Sequence, residues 1–315
     1  MEKKIISFVI PCYRSEKTLA GVVDEIGSTM DAMQEYSHEI ILINDGSPDN
    51  TWGAICDVVA KDASKRILGI NFAKNFGQHA AIMAGLNHAK GDYVVCLDDD
   101  GQTPASEVGK LINALVDGAD VAYARYEHKQ HSIFRNFGTF MNETMATVML
   151  GKPKDLYVSS YFAARRFVVE EMIKYESSYP YVIGLVLRTT RNVVNVDVNH
   201  RKRTEGESGY SFGKLFALWI NGFTAFSIKP LRFATFAGTV FALLGFLYGI
   251  YTIIKKFVYP VAPMGYAALM SAVIFMGGML MLMLGMVGEY VGRLYISQNK
   301  NPQYVIRETT QDEDK

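Results

Sequence analysis

Tyr93-Val94-Val95-Cys96-Leu97-Asp98-Asp99-Asp100-Gly101-Gln102 is an apolar, β-branched run that ends in three consecutive carboxylates and a glycine turn. The apolar part reads as a buried strand. Adjacent carboxylates repel one another and cost stability unless a cation neutralises them, and hard oxygen ligands of this kind suit Mg2+ or Mn2+. Side chains alternate along an extended chain, so Asp98 and Asp100 are expected to point together and hold one ion while Asp99 faces elsewhere. Taken alone, the same three residues also fit a turn that merely caps the next helix.

Upstream, similar strand patterns occupy residues 5–10, 39–43 and 67–72, and helical periodicity fills residues 19–33 and 52–60. This alternation predicts a mostly parallel α/β sheet of the nucleotide-binding kind, with ligands at the carboxyl ends of the strands. Pro11, Asp45, Lys74 and Asp98 each follow such a strand. The segment Ile43-Asn44-Asp45-Gly46-Ser47-Pro48-Asp49 places an acidic residue and a turn where a base or ribose can be held, although Asx-Gly turns are common and most bind nothing.

Downstream the chain changes character. Residues 233–254 carry no charge, nor do residues 264–288. At ~1.5 Å rise per residue, each stretch is long enough to cross the roughly 30 Å hydrocarbon core. The link at 255–263 is short, so the two read as a transmembrane hairpin. Helices apolar on every side are uncommon in soluble folds. Arg201, Lys202, Arg203, Lys214, Lys229 and Arg232 precede the hairpin, and Arg293, Lys300 and Arg307 follow it, against Lys255 and Lys256 in the link. The balance places both flanks on the cytoplasmic side of an inner membrane. Just before the hairpin, Phe212, Leu215, Phe216, Trp219, Ile220, Phe223 and Phe226 fall on one helical face, which predicts an amphipathic helix lying in the membrane interface. A looser pattern covers residues 134–149. The expected organisation is a cytoplasmic domain over residues 1–210, the interfacial helix at 211–230, membrane helices at 231–254 and 264–288, and a cytoplasmic tail at 289–315.

Composition excludes several other classes. Acidic and basic residues balance at 32 each, so no global field favours nucleic acid. Cys12, Cys56 and Cys96 lie far apart, with no CxxC spacing and no even count, which fits a reducing compartment and argues against a zinc site or a disulfide framework. The N-terminal sequence has no basic head followed by a long apolar stretch, so no cleaved secretion signal is expected.

Taken together, Val9-Ile10-Pro11-Cys12-Tyr13-Arg14-Ser15-Glu16, Asn44-Asp45-Gly46-Ser47, Lys74-Asn75-Phe76-Gly77-Gln78 and Asp98-Asp99-Asp100-Gly101-Gln102-Thr103-Pro104 resemble the ordered motifs of the family 2 glycosyltransferases. Within that family the chain is similar to the polyprenyl-phosphate sugar transferases. Ser208-Gly209-Tyr210-Ser211 and Lys229-Pro230-Leu231-Arg232 match the segment that leads such chains into the membrane. The resemblance covers nearly the whole chain and implies a GT-A fold. It further implies that Pro11, Tyr13, Glu16, Asp45, Lys74 and Asp98 contact the nucleotide, and that Asp98, Asp100 and Gln102 cradle the metal and diphosphate. Three positions depart from the usual pattern: Asn44 stands where many members carry a first acid, the acid of the opening motif sits at Glu16 after Ser15, and Lys74 stands where relatives often carry Arg, which keeps the charge but loses the bidentate fork.

For the acceptor phosphate, Arg125, Arg135, Arg165, Arg166, Arg201 and Arg203 are available. Arg135 opens an Arg-Asn-Phe-Gly run resembling the family's acceptor helix. Arg203 precedes a loop at 205–210 that could close as a lid, with Ser208 and Tyr210 beside it. The expected reaction is inverting transfer from a nucleotide-sugar, a UDP-sugar such as UDP-glucose, to undecaprenyl phosphate, catalysed by Asp98, Asp100, Arg135 and Arg203. The expected assembly is a homo-oligomer, with a tetramer the form the resemblance points to. A processive polysaccharide synthase would carry a Gln-x-x-Arg-Trp motif and more spans, and this sequence has neither. The other rival, a membrane scaffold with a spent nucleotide site, is disfavoured by the intact Asp98, Asp100 and Gln102.

Overall fold

The protein is described by a computed structural model at residues 3–64, 66–126, 147, 152–153, 155–199, 229–258, 265–298 and 301–311. The chain divides into two compact units, one of residues 1–215 with 300–315 and one of residues 216–299.

In the first unit the expected strands appear as β1 (Lys4–Cys12), β2 (Tyr36–Asn44), β3 (Ile67–Phe72) and β4 (Tyr93–Cys96). Helices α1 (Leu19–Ala32), α2 (Thr51–Lys61) and α3 (Gln78–His88) connect them, so β1, β2, β3 and β4 are parallel where they pair. After α4 (Val108–Val116) the chain adds β5 (Val121–Tyr126) and β6 (Phe162–Arg165), then α5 (Arg166–Ile173), α6 (Val182–Thr189) and β7 (Val193–Val198). β6 runs antiparallel between β4 and β5. A last strand, β8 (Ile306–Thr309), pairs antiparallel with β3. The eight strands lie in the order β7-β5-β6-β4-β1-β2-β3-β8. This is a GT-A type α/β architecture.

The near-continuous apolar runs follow from helices on both faces of the sheet. Ile6, Phe8, Ile10 and Cys12 of β1 are buried against α1 and α4 residues such as Leu19, Ile26, Leu111 and Leu115. On the other face, α3 approaches so closely that a Cβ on Gly85 would lie 2.3 Å from Val9 Cγ1. Pro11 is seated within β1, in register with Ile43, and not after it. The Val9 carbonyl accepts from Leu97 N, so the residue-9 and residue-11 backbone faces the β4 side, and β4 itself stops at Cys96. The missing Pro11 N–H therefore falls beyond the end of its neighbour and costs no ladder bond.

The second unit holds two long helices, α7 (Lys229–Val258) and α8 (Tyr266–Gln298), of 30 and 33 residues. Lys255 and Lys256 sit on the last turns of α7, where positive charge suits the helix end, and not in the link between the helices. Phe246, Leu247, Leu282, Leu284 and Leu294 are all exposed. Within α8, the segment Phe275–Gly292 is long and apolar enough to cross a membrane. The interfacial helix expected at 211–230 and the pattern at 134–149 fall largely outside the described residues.

Candidate active site

Chain connectivity reverses between β1 and its two neighbours: β2 and β3 are laid down on one side, and β4 on the other. The crevice beyond the carboxyl ends of β1 and β4 is thus the topological switch point, the usual ligand site of an open α/β sheet. The loops after these two strands are Tyr13-Arg14-Ser15-Glu16 and Leu97-Asp98-Asp99-Asp100-Gly101-Gln102.

The three carboxylates have different jobs. β4 ends at Cys96, so Asp98, Asp99 and Asp100 lie on a turn and strand alternation does not orient them. Asp99 is turned back into the first loop, where it accepts from Tyr13 N at 3.2 Å and from Ser15 Oγ. Burial raises its carboxyl to about 7, with Asp98 and Asp100 adding to the rise and the Tyr13 amide opposing it. Asp98 is gripped on both oxygens: Gln78 Nε2 donates to Oδ1 at 3.0 Å and Ser160 Oγ donates to Oδ2. Asp100 accepts from Gln102 N at 3.0 Å across Gly101, whose φ of +68° allows the tight turn. Tyr126, at the end of β5, has its phenol pKa raised by burial, with Asp98 and Asp100 both contributing.

The second and third motifs form one rigid corner. Asp45 is buried, and its carboxylate accepts from the amides of Phe76 at 2.7 Å and Gly77 at 2.9 Å. Burial raises its pKa to about 6, against the pull of those two amides. Gly46 has φ +60°, and a Cβ there would sit 2.4 Å from Asn75 N, so only glycine lets the two loops touch. Lys74 is exposed, with its ammonium 5.1 Å from the centre of the Phe76 ring. Tyr13 is exposed, with the Arg14 guanidinium 5.6 Å from its ring, while Glu16 accepts weakly from Asn50 N at 3.4 Å.

The structure thus brings Pro11, Tyr13, Glu16, Asp45, Lys74, Asp98, Asp100 and Gln102 to the strand ends. Arg135, Arg201, Arg203, Ser208 and Tyr210 lie outside the described residues. Of the other arginines, Arg125 pairs in bidentate fashion with Asp197, and Arg165 and Arg166 donate to backbone carbonyls at Ala119 and Ala89. Sequence reasoning missed Ser15, Gln78 and Ser160 as holders of Asp98 and Asp99. Gln78 stood inside a recognised motif, but Ser160 lies 62 residues from its partner and carries no local signal.

The carboxylate oxygens of Asp98 and Asp100 and the side-chain amide oxygen of Gln102 are hard donors of the kind that suits a divalent cation. Among the described residues no group of three or more His, Cys, Asp and Glu side chains is arranged to hold a metal on its own.

Residues 7–173 match Glycosyl transferase family 2, and residues 229–294 match the GtrB C-terminal hairpin. The undecaprenyl-phosphate 4-deoxy-4-formamido-L-arabinose transferase of Proteus mirabilis is 32% identical over 96% of this chain and 93% of its own length. That of Photorhabdus laumondii is 31% identical over 98% and 95%. Among solved structures, the glucosyl-3-phosphoglycerate synthase of Mycobacterium tuberculosis with Mn2+ and UDP-glucose superimposes with TM-score 0.53 at 18% identity, covering 70% of this chain and 77% of its own. That likeness supports the fold. The family matches and the chain-long identity support more: this chain belongs to glycosyl transferase family 2 and is a glycosyltransferase with a C-terminal membrane hairpin.

Proposed function

We propose that the protein moves a sugar from a nucleotide-sugar to undecaprenyl phosphate, with inversion at the anomeric carbon. The observation that carries this reading is the Asp98–Asp100 turn at the switch point, tethered to the β1 loop through Asp99 and held by Gln78 and Ser160. Such a turn offers two oriented carboxylates where a diphosphate would lie. The chain-long similarity to undecaprenyl-phosphate transferases points to the acceptor.

In this reading Asp98, Asp100 and Gln102 would hold Mg2+ or Mn2+, which when bound offsets the charge of the departing nucleoside diphosphate. The remaining tasks fall to the chain. Pro11, Tyr13, Glu16 and the Asp45 corner line the nucleotide, and Lys74 supplies a positive charge close to it. Arg135 and Arg203, with Ser208 and Tyr210, receive the lipid phosphate, and the 205–210 loop closes over the pair. A phosphate monoester has its second pKa near ~6, so the attacking oxygen is already ionised at neutral pH and needs no strong general base. One in-line displacement forms the bond from phosphate oxygen to anomeric carbon as the bond to the diphosphate breaks. An α-linked donor then gives a β-linked lipid-phosphate sugar.

The hairpin would cross the inner membrane twice with the catalytic domain in the cytoplasm, and the interfacial helix at 211–230 would set the height of the site. UDP-glucose is the donor proposed first. A second reading, supported by the relatives' names, is transfer of 4-deoxy-4-formamido-L-arabinose from a nucleotide-linked form. Incubating the purified full-length chain with undecaprenyl phosphate, Mn2+ and a panel of UDP- and GDP-sugars decides between them. Label from one donor should enter the lipid phase. Label that enters no lipid product from any donor would contradict the acceptor assignment.

A further inference from the structure

Residues 301–311 follow the second hairpin helix in sequence, yet they belong to the first unit and lie along the outer edge of its sheet. Their contacts reach the nucleotide corner through two routes. The first is a row of hydrogen bonds that all run in one direction. Glu308 Oε1 accepts from Asn71 Nδ2 at 2.7 Å, Asn71 Oδ1 accepts from Asn44 Nδ2 at 2.8 Å, and Asn44 Oδ1 accepts from Ser47 N at 3.2 Å. Ser47 Oγ in turn accepts from Arg14 N at 3.2 Å, and Arg14 holds a left-handed φ of +60°. The register explains the row, since Glu308 faces Asn71 across β8 and β3, and Asn71 faces Asn44 across β3 and β2. The second route is aromatic. Tyr304 stacks on Phe72 at 5.2 Å with planes 6° apart, and Phe72 meets the Phe76 ring edge-on at 5.7 Å. Ala73 N donates to Val305 O at 2.9 Å just ahead of Lys74.

Asn44 and Asn71 are 3% and 6% exposed, so their amides have little access to water. A buried amide needs its partners in the protein, and a chain of such bonds strengthens when its terminal acceptor is charged. Asn71 can satisfy Asn44 and Glu308 together only with its carbonyl toward Asn44. The Glu308 carboxylate therefore selects which way both amides point, and so whether Asn44 offers an acceptor or a donor to the Ser47 amide. With the wrong end turned inward, the Asn44-Asp45-Gly46-Ser47 turn loses the bond that closes it.

We propose that Glu308 is a positioning residue for the nucleotide site, acting through Asn71 and Asn44 on the Ser47 turn and the Arg14 loop. The tail beyond the hairpin is then a working part of the donor half of the enzyme. This rests on the reading of that corner as a nucleotide site, so its test needs one readout that involves no nucleotide.

The full-length protein in detergent is compared with Glu308→Ala, Glu308→Gln and Thr310→Ala. Gln keeps an acceptor oxygen for Asn71. Thr310 bonds Gly69 N on the same edge, outside the row, and tests whether any weakening of the edge has the same effect. Amide hydrogen exchange at Ser47 should quicken about tenfold in Glu308→Ala, and UDP with Mn2+ should bind about tenfold more weakly. Glu308→Gln and Thr310→Ala should stay within about twofold of the parent in both measurements. Unchanged Ser47 exchange in Glu308→Ala, or equal quickening in Thr310→Ala, would overturn the proposal. A parent protein that binds no UDP would instead contradict the nucleotide reading, and the exchange data would still judge the row.

Discussion

At the scale of single residues, the three adjacent aspartates divide their labour. Asp99 ties two loops together, Asp98 is oriented by two donors, and Asp100 shapes the turn. Groups that orient a metal-binding carboxylate are typically worth about 10–100-fold in activity. Ser160→Ala and Gln78→Ala should each lower turnover by about that factor, with the larger effect on the metal concentration required; turnover titrated against Mn2+ checks this. Asp45 gives a pH signature. Burial raises its carboxyl pKa from the ordinary 3.8 to about 6. Between those two values the folded protein keeps a proton that the unfolded chain has released, so this group's stabilisation is lost as pH rises through the window and is level above it. Asp99, raised to about 7, extends the same trend upward. The EDTA-treated protein should therefore show a melting temperature that falls as pH rises through this range. Asp45→Asn should make the fall below about pH 6 shallower, leaving the slope that Asp99 contributes up to about pH 7.

At the scale of elements, the parallel half of the sheet was legible because β1, β2, β3 and β4 are buried on both faces and each ends in a polar turn. The motif residues followed, since ligands collect at those ends. The bonds between motifs were not legible. Asp45 to Phe76, Asp99 to Ser15 and Asp98 to Ser160 join positions 31 to 84 residues apart, and only the fold brings them together. β8 was equally hidden: Ile306-Arg307-Glu308-Thr309 holds one large apolar side chain and no usable alternation, and it becomes a strand through pairing with β3. The interfacial helix around Trp219 and Phe223 remains a proposal from periodicity. Burying one large apolar side chain contributes roughly 1.5–3 kcal/mol, so Trp219→Glu with Phe223→Glu should lift the helix from the interface. The double variant should stay in the membrane fraction and bind nucleotide normally. It should lose transfer to long-chain undecaprenyl phosphate more than to a short, water-soluble prenyl phosphate. Equal losses on both acceptors would place this helix in the domain core.

At the scale of the whole molecule, a GT-A type glycosyltransferase domain and an apolar hairpin occur in one chain, and the chain continues past the hairpin to finish the sheet of the first unit. That arrangement fits an enzyme whose donor comes from water and whose acceptor comes from a bilayer. The direct measurement is lipid-linked product formed by the purified full-length protein from undecaprenyl phosphate and its preferred labelled nucleotide-sugar. The parent with Mn2+, the parent with EDTA, and Asp100→Asn with saturating Mn2+ are run side by side. Asp100→Asn removes one carboxylate with almost no change in volume, so it should keep the parent's melting behaviour. Product is expected in the first reaction, with a loss of at least about 100-fold in the other two. Transfer by Asp100→Asn at more than a small fraction of the parent rate, or full activity in EDTA, would contradict the metal assignment.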